Sequence, residues 1–299
     1  MTDIVIVGAG TAGMTAAIYA VRAGKTVQVL DAKGYGGQIV NTPDIENYPG
    51  IAHISGADFS YGLYQQAADL GAKFRVERVV SIEDRGETKV VHTAKREYEC
   101  KAVILATGAK NRPLGIEREE ELTGRGVSYC ATCDGAFFKG MDVAVNGGGN
   151  TALEDAAYLA NYCSHVYLIH RRDEFRGDAK DVEALRAKEN VEFVLNSTVK
   201  ELVGDERLQG IRVENKLTGE IRNIPVAGLF VAVGQMPEND AFKELVELDP
   251  AGYIAGGEDC LTKTPGIYVA GDCRTKSVRQ LTTAAADGAT AALAACAKI

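Results

Sequence analysis

The chain carries one script twice. Asp3 to Asp31, DIVIVGAGTAGMTAAIYAVRAGKTVQVLD, and Asp142 to His170, DVAVNGGGNTALEDAAYLANYCSHVYLIH, align without a gap at an offset of 139 residues. Each reads as a short apolar strand, a glycine-rich turn, an alanine-rich helix and a second strand. Two βαβ units follow, and with them an α/β fold of two Rossmann-like dinucleotide-binding domains, each in three ββα layers.

The order of the remaining segments predicts how the two are connected. VILATGAKNRP (Val103 to Pro113), GLFVAVGQMPEN (Gly228 to Asn239) and GIYVAGDCR (Gly266 to Arg274) each read as a strand ending in a turn. A split at mid-chain would leave the last of these, and the helix after it, without a sheet. The second domain is therefore expected to be inserted into the first. It takes residues 117–246, and residues 1–116 and 247–299 form a discontinuous outer domain.

The two glycine turns differ in charge. Gly8, Gly10 and Gly13 form G-x-G-x-x-G directly between a strand and a helix, the context in which the helix N-terminus receives a pyrophosphate. Asp31 stands 23 residues after Gly8, where a carboxylate bonds the hydroxyls of an adenosine ribose. In the second unit Gly147, Gly149 and Ala152 repeat the motif, Gly148 lies between the glycines, and Asn150 and Thr151 open the helix. The position 23 residues after Gly147 is His170, followed by Arg171, Arg172 and, after Asp173, Glu174 and Phe175, by Arg176. Guanidinium groups bind a 2'-phosphate that a carboxylate would repel. The first turn thus predicts a dinucleotide with a free 2'-hydroxyl and the second NADP(H). The plain alternative for HRRDEFR is a solvated charged turn. Two dinucleotides in one chain suggest electron transfer, with FAD in the first unit accepting a hydride from NADPH in the second.

Cys130 and Cys133 sit two residues apart in SYCATCDG, just before the second unit. No second C-x-x-C or histidine pair completes a zinc site, so no metal is expected. Inert buried thiols and a redox dithiol remain, and the dithiol is favoured because the spacing closes a small reducible ring. Asp134 follows directly and can shuttle the proton that thiolate chemistry needs. Its alternative is a helix cap or turn residue. Cys100, Cys163, Cys260, Cys273 and Cys296 stand singly and read as small core side chains.

Composition bounds the setting. The chain has 33 Lys and Arg against 41 Asp and Glu, a net charge of -8, so nothing global predicts nucleic-acid binding. Seven cysteines, an odd number, and an apolar strand from Ile4 leave no signal peptide, and a cytoplasmic location is expected. The tail from Leu281 to Ile299 is too weakly apolar for a membrane span and reads as a packed helix.

Taken together the motifs resemble the low-molecular-weight, bacterial-type thioredoxin reductases of the class II pyridine nucleotide-disulfide oxidoreductases. They are GAGTAG from Gly8, GGQIVNTPDIENYPG from Gly36, VILATGA from Val103, GRGVSYCATCDGAFF from Gly124, GGGNTALEDA from Gly147, HRRDEFR from His170 and GDCRTKSVRQLTTAAADGATAA from Gly271. The resemblance implies a thioredoxin-disulfide reductase, a homodimer with FAD in the outer domain and NADPH and the dithiol in the inner one. It places Gly8, Gly10, Ala12, Gly13, Asp31, Gly36, Gly37, Gln38 and Asn47 around FAD, with Thr107 and Gly108 from the central strand-turn. The tail would add Gly271, Asp272, Arg279, Gln280 and Leu281. Gly147, Gly149, Asn150, Thr151, Ala152, His170, Arg171, Arg172 and Arg176 would hold NADPH. The NADPH domain of such proteins is thought to rotate. Thr11, Asn146, Asn150 and Ala286 depart from the usual family residues, and Asn146, a polar group ending a buried strand, must find a partner or face a ligand. The competing readings are an NADPH-flavin reductase of another disulfide protein, of the peroxiredoxin-reductase type, and a non-enzymatic dinucleotide sensor.

Overall fold

The computed structural model describes residues 1–42 and 44–299. It divides into two compact units, one of residues 1–110 and 236–299 and one of residues 111–235. Both limits fall ahead of those expected at 117 and 246. The chain leaves and re-enters the outer unit through strands Ala109–Asn111 and Gln235–Pro237, which pair with each other and which the turn pattern does not reveal.

The outer unit is built on a sheet whose parallel strands run in the order Lys73–Val76, Val27–Asp31, Thr2–Val7, Glu97–Leu105. Glu97–Leu105 is long enough to serve two neighbours on its far edge. Its first half pairs antiparallel with Lys89–Thr93, and its last residues pair parallel with Ile267–Val269 from the chain's end. Alternation along each strand splits the core in two. Ile4, Ile6, Ala102 and Ile104 pack under the helices Thr11–Arg22 and Leu281–Cys296, whereas Val5, Val7, Val103 and Leu105 pack with Ile82, Val91, Phe242 and Ile254 on the opposite face. The tail is therefore a packed helix. Gly288 makes that packing possible, because a Cβ there would lie 2.2 Å from the Ala12 carbonyl oxygen. No helix among the described residues is long and apolar enough to cross a membrane.

The inner unit repeats the plan. Its parallel sheet runs Val191–Val194, His165–Ile169, Asp142–Gly147, Gly228–Ala232, Val127–Ser128. Val143 and Val145 face the helix Asn150–Leu159, and Ala144 faces an antiparallel meander of Ser197–Val203, Gly210–Asn215 and Ile221–Ile224. Helix, parallel sheet and meander are the three layers of an α/β Rossmann-like fold.

Candidate active and cofactor-binding sites

The first glycine turn is shaped by close approach. Gly8 adopts φ +109°, and a Cβ there would lie 2.2 Å from the Ala106 carbonyl oxygen; one at Gly13 would lie 1.9 Å from the Gly8 oxygen. Gly10, by contrast, faces open space and caps the helix from Thr11 without any side-chain hydrogen bond. The first amides of that helix are thus free to meet an anion. Asp31 ends the second strand beside them. Its Oδ2 accepts from the Ala9 amide at 2.9 Å, and its Oδ1 from Lys33 and Gly34 at 2.8 and 3.1 Å. A carboxylate offers about four acceptor positions, so Asp31 keeps room for about one further donor, not both ribose hydroxyls freely.

Distant segments close on this turn. Gly36 donates to the Ala9 oxygen at 2.8 Å, Gly37 lies against Gly10, and the Gln38 amide donates to the Ala109 oxygen. Asn47, exposed, donates to Gln280 Oε1 at 3.3 Å, and Gln280 in turn caps the helix from Leu281 in a reciprocal box with Thr283. The Thr107 hydroxyl, next to Gly108, donates to Asn239 Oδ1 at 2.9 Å, and the Asn239 amide donates to the Cys273 oxygen at 3.1 Å. Arg279 lies 4.1 Å over the Tyr253 ring and donates to the Asp272 oxygen. Pro43, within the motif that begins at Gly36, lies outside the described residues.

Asp272 is a buried carboxyl of this unit that lacks a full set of partners. Its Oδ1 is buried and meets no donor among the described residues, and burial pushes the carboxyl up. The turn that presents it is fixed by Asp287, which accepts from the Gly271 amide at 3.0 Å, from two Arg274 nitrogens at 2.8 Å each and from Lys276 at 2.8 Å. Burial alone would raise the Asp287 carboxyl, but the bonds from Arg274 and Lys276 outweigh it and hold it below the usual carboxylate range. That contribution to stability is complete above the ordinary carboxylate pKa and is lost as pH falls through the lowered folded value. Removing the charge leaves Lys276 without its carboxylate and Arg274 with only the exposed Glu258, 3.9 Å away. Asp287→Asn is expected to cost about 3–5 kcal/mol in urea unfolding, and an unchanged midpoint would contradict the network's role.

The second glycine turn is equally crowded. A Cβ at Gly147 would lie 2.4 Å from the Ala232 oxygen and 2.6 Å from the Ala152 Cβ, and one at Gly148 would lie 2.1 Å from the His170 ring. Gly149 is open and caps the helix from Asn150 with no side-chain bond. His170 is buried beneath the turn, stacked on Phe175, with its Nε2 3.0 Å from the Glu174 oxygen; burial pushes its pKa down. It shapes the seat and does not project to the surface. The Arg176 amide donates to the Gly148 oxygen at 2.7 Å, which folds the basic loop back onto the turn. Arg171, Arg172 and Arg176 are exposed, and none pairs with a carboxylate among the described residues. Asn150 Oδ1 accepts from the Asp178 amide at 2.8 Å, and Thr151 is exposed. Asn146 is half-buried, and its side chain bonds no described residue.

In the same unit Cys130 and Cys133 form a disulfide at the short helix Ala131–Asp134. Asp134 stands at the N-cap of the short turn Gly135–Phe138, but its side chain makes no capping bond there. Its Oδ2 accepts from the Ser128 hydroxyl at 2.6 Å, and its Oδ1 is buried without a donor among the described residues. Burial pushes its carboxyl up, against the lowering effect of Ser128. The other cysteines are free thiols pushed up by burial, Cys100 to about 12 and Cys163 and Cys260 to about 11. Such thiols hold little thiolate at neutral pH and are poor nucleophiles.

The model of the pyridine nucleotide-disulphide oxidoreductase family matches residues 2–288. A thioredoxin reductase of Listeria monocytogenes is 43% identical over 287 residues, 96% of this chain and 90% of that one. The chain belongs to this family, and within it to the thioredoxin reductases. A bifunctional thioredoxin reductase/thioredoxin of Mycobacterium leprae is 41% identical over 97% of this chain and 64% of its own. The crystal structure of thioredoxin reductase from Streptococcus pyogenes superposes with a TM-score of 0.95 at 41% identity, covering 100% of this chain and 98% of the other. The protein is thus a flavoprotein oxidoreductase, and its family implies a flavin and a pyridine nucleotide. These relatives favour the reductase over a non-enzymatic sensor.

Sequence reasoning passed over Ser128, Asn239 and the Asp287 network. Asp287 lies within a tail whose pattern says only that it packs as a helix, and Ser128 is signalled by nothing except its place two residues before Cys130.

Proposed function

We propose that the chain is an NADPH-dependent thioredoxin reductase, with FAD in the outer unit and NADPH and the dithiol in the inner one. The observation that carries this reading is the Cys130–Cys133 disulfide beside a half-buried carboxyl, in the unit that also presents an arginine-flanked glycine turn. The outer unit fits a flavin dinucleotide: the amides after Gly10 would hold its pyrophosphate, Asp31 an adenosine ribose hydroxyl, and Asp272, whose buried Oδ1 has no donor among the described residues, a flavin-side hydroxyl. When bound, the flavin supplies a two-electron relay between nicotinamide and disulfide. Arg171, Arg172 and Arg176 hold the 2'-phosphate of NADPH, and Asn150 and Thr151 line the turn that receives its pyrophosphate.

The residues of the disulfide segment then do the thiol chemistry. One cysteine thiolate attacks the thioredoxin disulfide, a mixed disulfide forms, and the second cysteine closes Cys130–Cys133 again as reduced thioredoxin leaves. Asp134 takes up or returns the proton at the cysteine sulfur. Thioredoxin as partner is supported by the named relatives, one of which joins both proteins in a single chain. We also assign a homodimer, on family resemblance, and a cytoplasmic location, which five reduced thiols suit.

Adding oxidised thioredoxin to the enzyme and NADPH is expected to consume one NADPH for each disulfide reduced. Consumption indifferent to thioredoxin would defeat the assignment.

A further inference from the structure

The Ser128 hydroxyl is where the disulfide segment and its carboxyl meet. It is 4% exposed; its Oγ donates to Asp134 Oδ2 at 2.6 Å and accepts from the Cys130 amide at 3.1 Å. One carboxyl oxygen is thereby held, and the other, Oδ1, is buried with no donor among the described residues. We propose that Ser128 is a positioning residue of the reaction: its hydroxyl fixes the Asp134 carboxyl against the Cys130 backbone and leaves Oδ1 as the oxygen that exchanges the proton with sulfur. The inference rests on Asp134 acting as the acid–base group.

The balance is simple. When an electron pair opens the disulfide, the S–S bond breaks, the O–H bond at Oδ1 breaks and an S–H bond forms at one sulfur, so that one thiol, one thiolate on the other sulfur and the carboxylate result. A hydroxyl 2.6 Å from Oδ2 stabilises the carboxylate charge, because a short bond to the ionised form favours it. In the reverse sense the carboxylate takes the thiol proton and releases a thiolate for attack on thioredoxin. In both directions the Ser128 bond lowers the carboxyl against the effect of burial.

Other titratable groups surround the pair. Glu154, Asp155 and Tyr158 lie on the helix Asn150–Leu159 packed against the disulfide turn, the Tyr162 hydroxyl lies close to Gly135, and Tyr129 donates to Glu119 at 2.8 Å. None bonds the Asp134 carboxyl among the described residues. Asp155 is itself raised to about 7 by burial, and Asp155→Asn is therefore included as a control.

The test is the pH profile of kcat/KM for a purified oxidised bacterial thioredoxin, with variants matched for flavin content and unfolding midpoint. Ser128→Ala is expected to lower kcat/KM about 3- to 10-fold and to move the limb that reports the carboxyl upward by about one pH unit, the loss of one hydrogen bond to a charged group. Ser128→Thr should restore both. Asp134→Asn should abolish that limb, Asp155→Asn should leave it in place, and Ser128→Ala should add nothing to Asp134→Asn. The pH dependence of iodoacetamide alkylation of the reduced dithiol should show the same upward movement. A Ser128→Ala loss with an unmoved limb, or one that multiplies with Asp134→Asn, overturns the proposal by reducing Ser128 to a backbone support. A limb that disappears in Asp155→Asn overturns it by assigning the titration elsewhere. If Asp134→Asn alone changes nothing, the acid–base reading itself has failed.

Discussion

Replacing Cys133 by Ser is expected to stop NADPH-driven reduction of thioredoxin while NADPH still reduces the bound flavin. The loss should be at least about a thousandfold, roughly 4 kcal/mol or more of barrier, because a serine oxygen can neither close a disulfide nor leave one. Cys130→Ser should behave alike. Rescue by another thiol is not expected, since Cys100, Cys163 and Cys260 are buried and raised to about 11 or 12. Steady-state thioredoxin reduction beside anaerobic flavin bleaching checks both halves. Turnover that survived either substitution would remove the dithiol from the reaction.

The second large effect concerns the nucleotide. Arg171→Ala and Arg172→Ala should each weaken the use of NADPH by about 10-fold, the loss of a charge-assisted hydrogen bond at a solvent-facing site, and leave NADH use nearly unchanged. Combined, they should erase most of the preference between the two. The measurement is kcat/KM for each nucleotide. The same drop for both would mean that the loop supports the fold of the turn, through contacts such as the Arg176 amide on Gly148, and does not read the 2'-phosphate.

How much of this was legible in the sequence follows from the range of the interactions. The glycine turns were readable because the residues that clash, cap and open them lie within one βαβ unit. Gly10 and Gly149 are open where Gly8 and Gly147 are crowded, as the motif requires. The Cys130–Cys133 pair was readable for the same reason. The unit limits were not, because they depend on two short strands more than a hundred residues apart finding each other. Nor was the seat of Asp272, which Asp287, Arg274 and Lys276 build by folding the last helix back over the turn. His170 was read as a residue that contacts nucleotide, yet its ring lies buried beneath Gly148 and explains why that position is glycine. Asp31 was given freedom to bond two hydroxyls, and three backbone amides already occupy most of it.

The central claim is that electrons from NADPH pass through a flavin to one disulfide, and an anaerobic NADPH titration with thiol counting tests it directly. The account predicts that full reduction bleaches the flavin and generates two new thiols per chain, which peptide mapping after alkylation places on Cys130 and Cys133. A flavin that bleaches fully while the thiol count stays fixed, or new thiols mapped elsewhere, would contradict it.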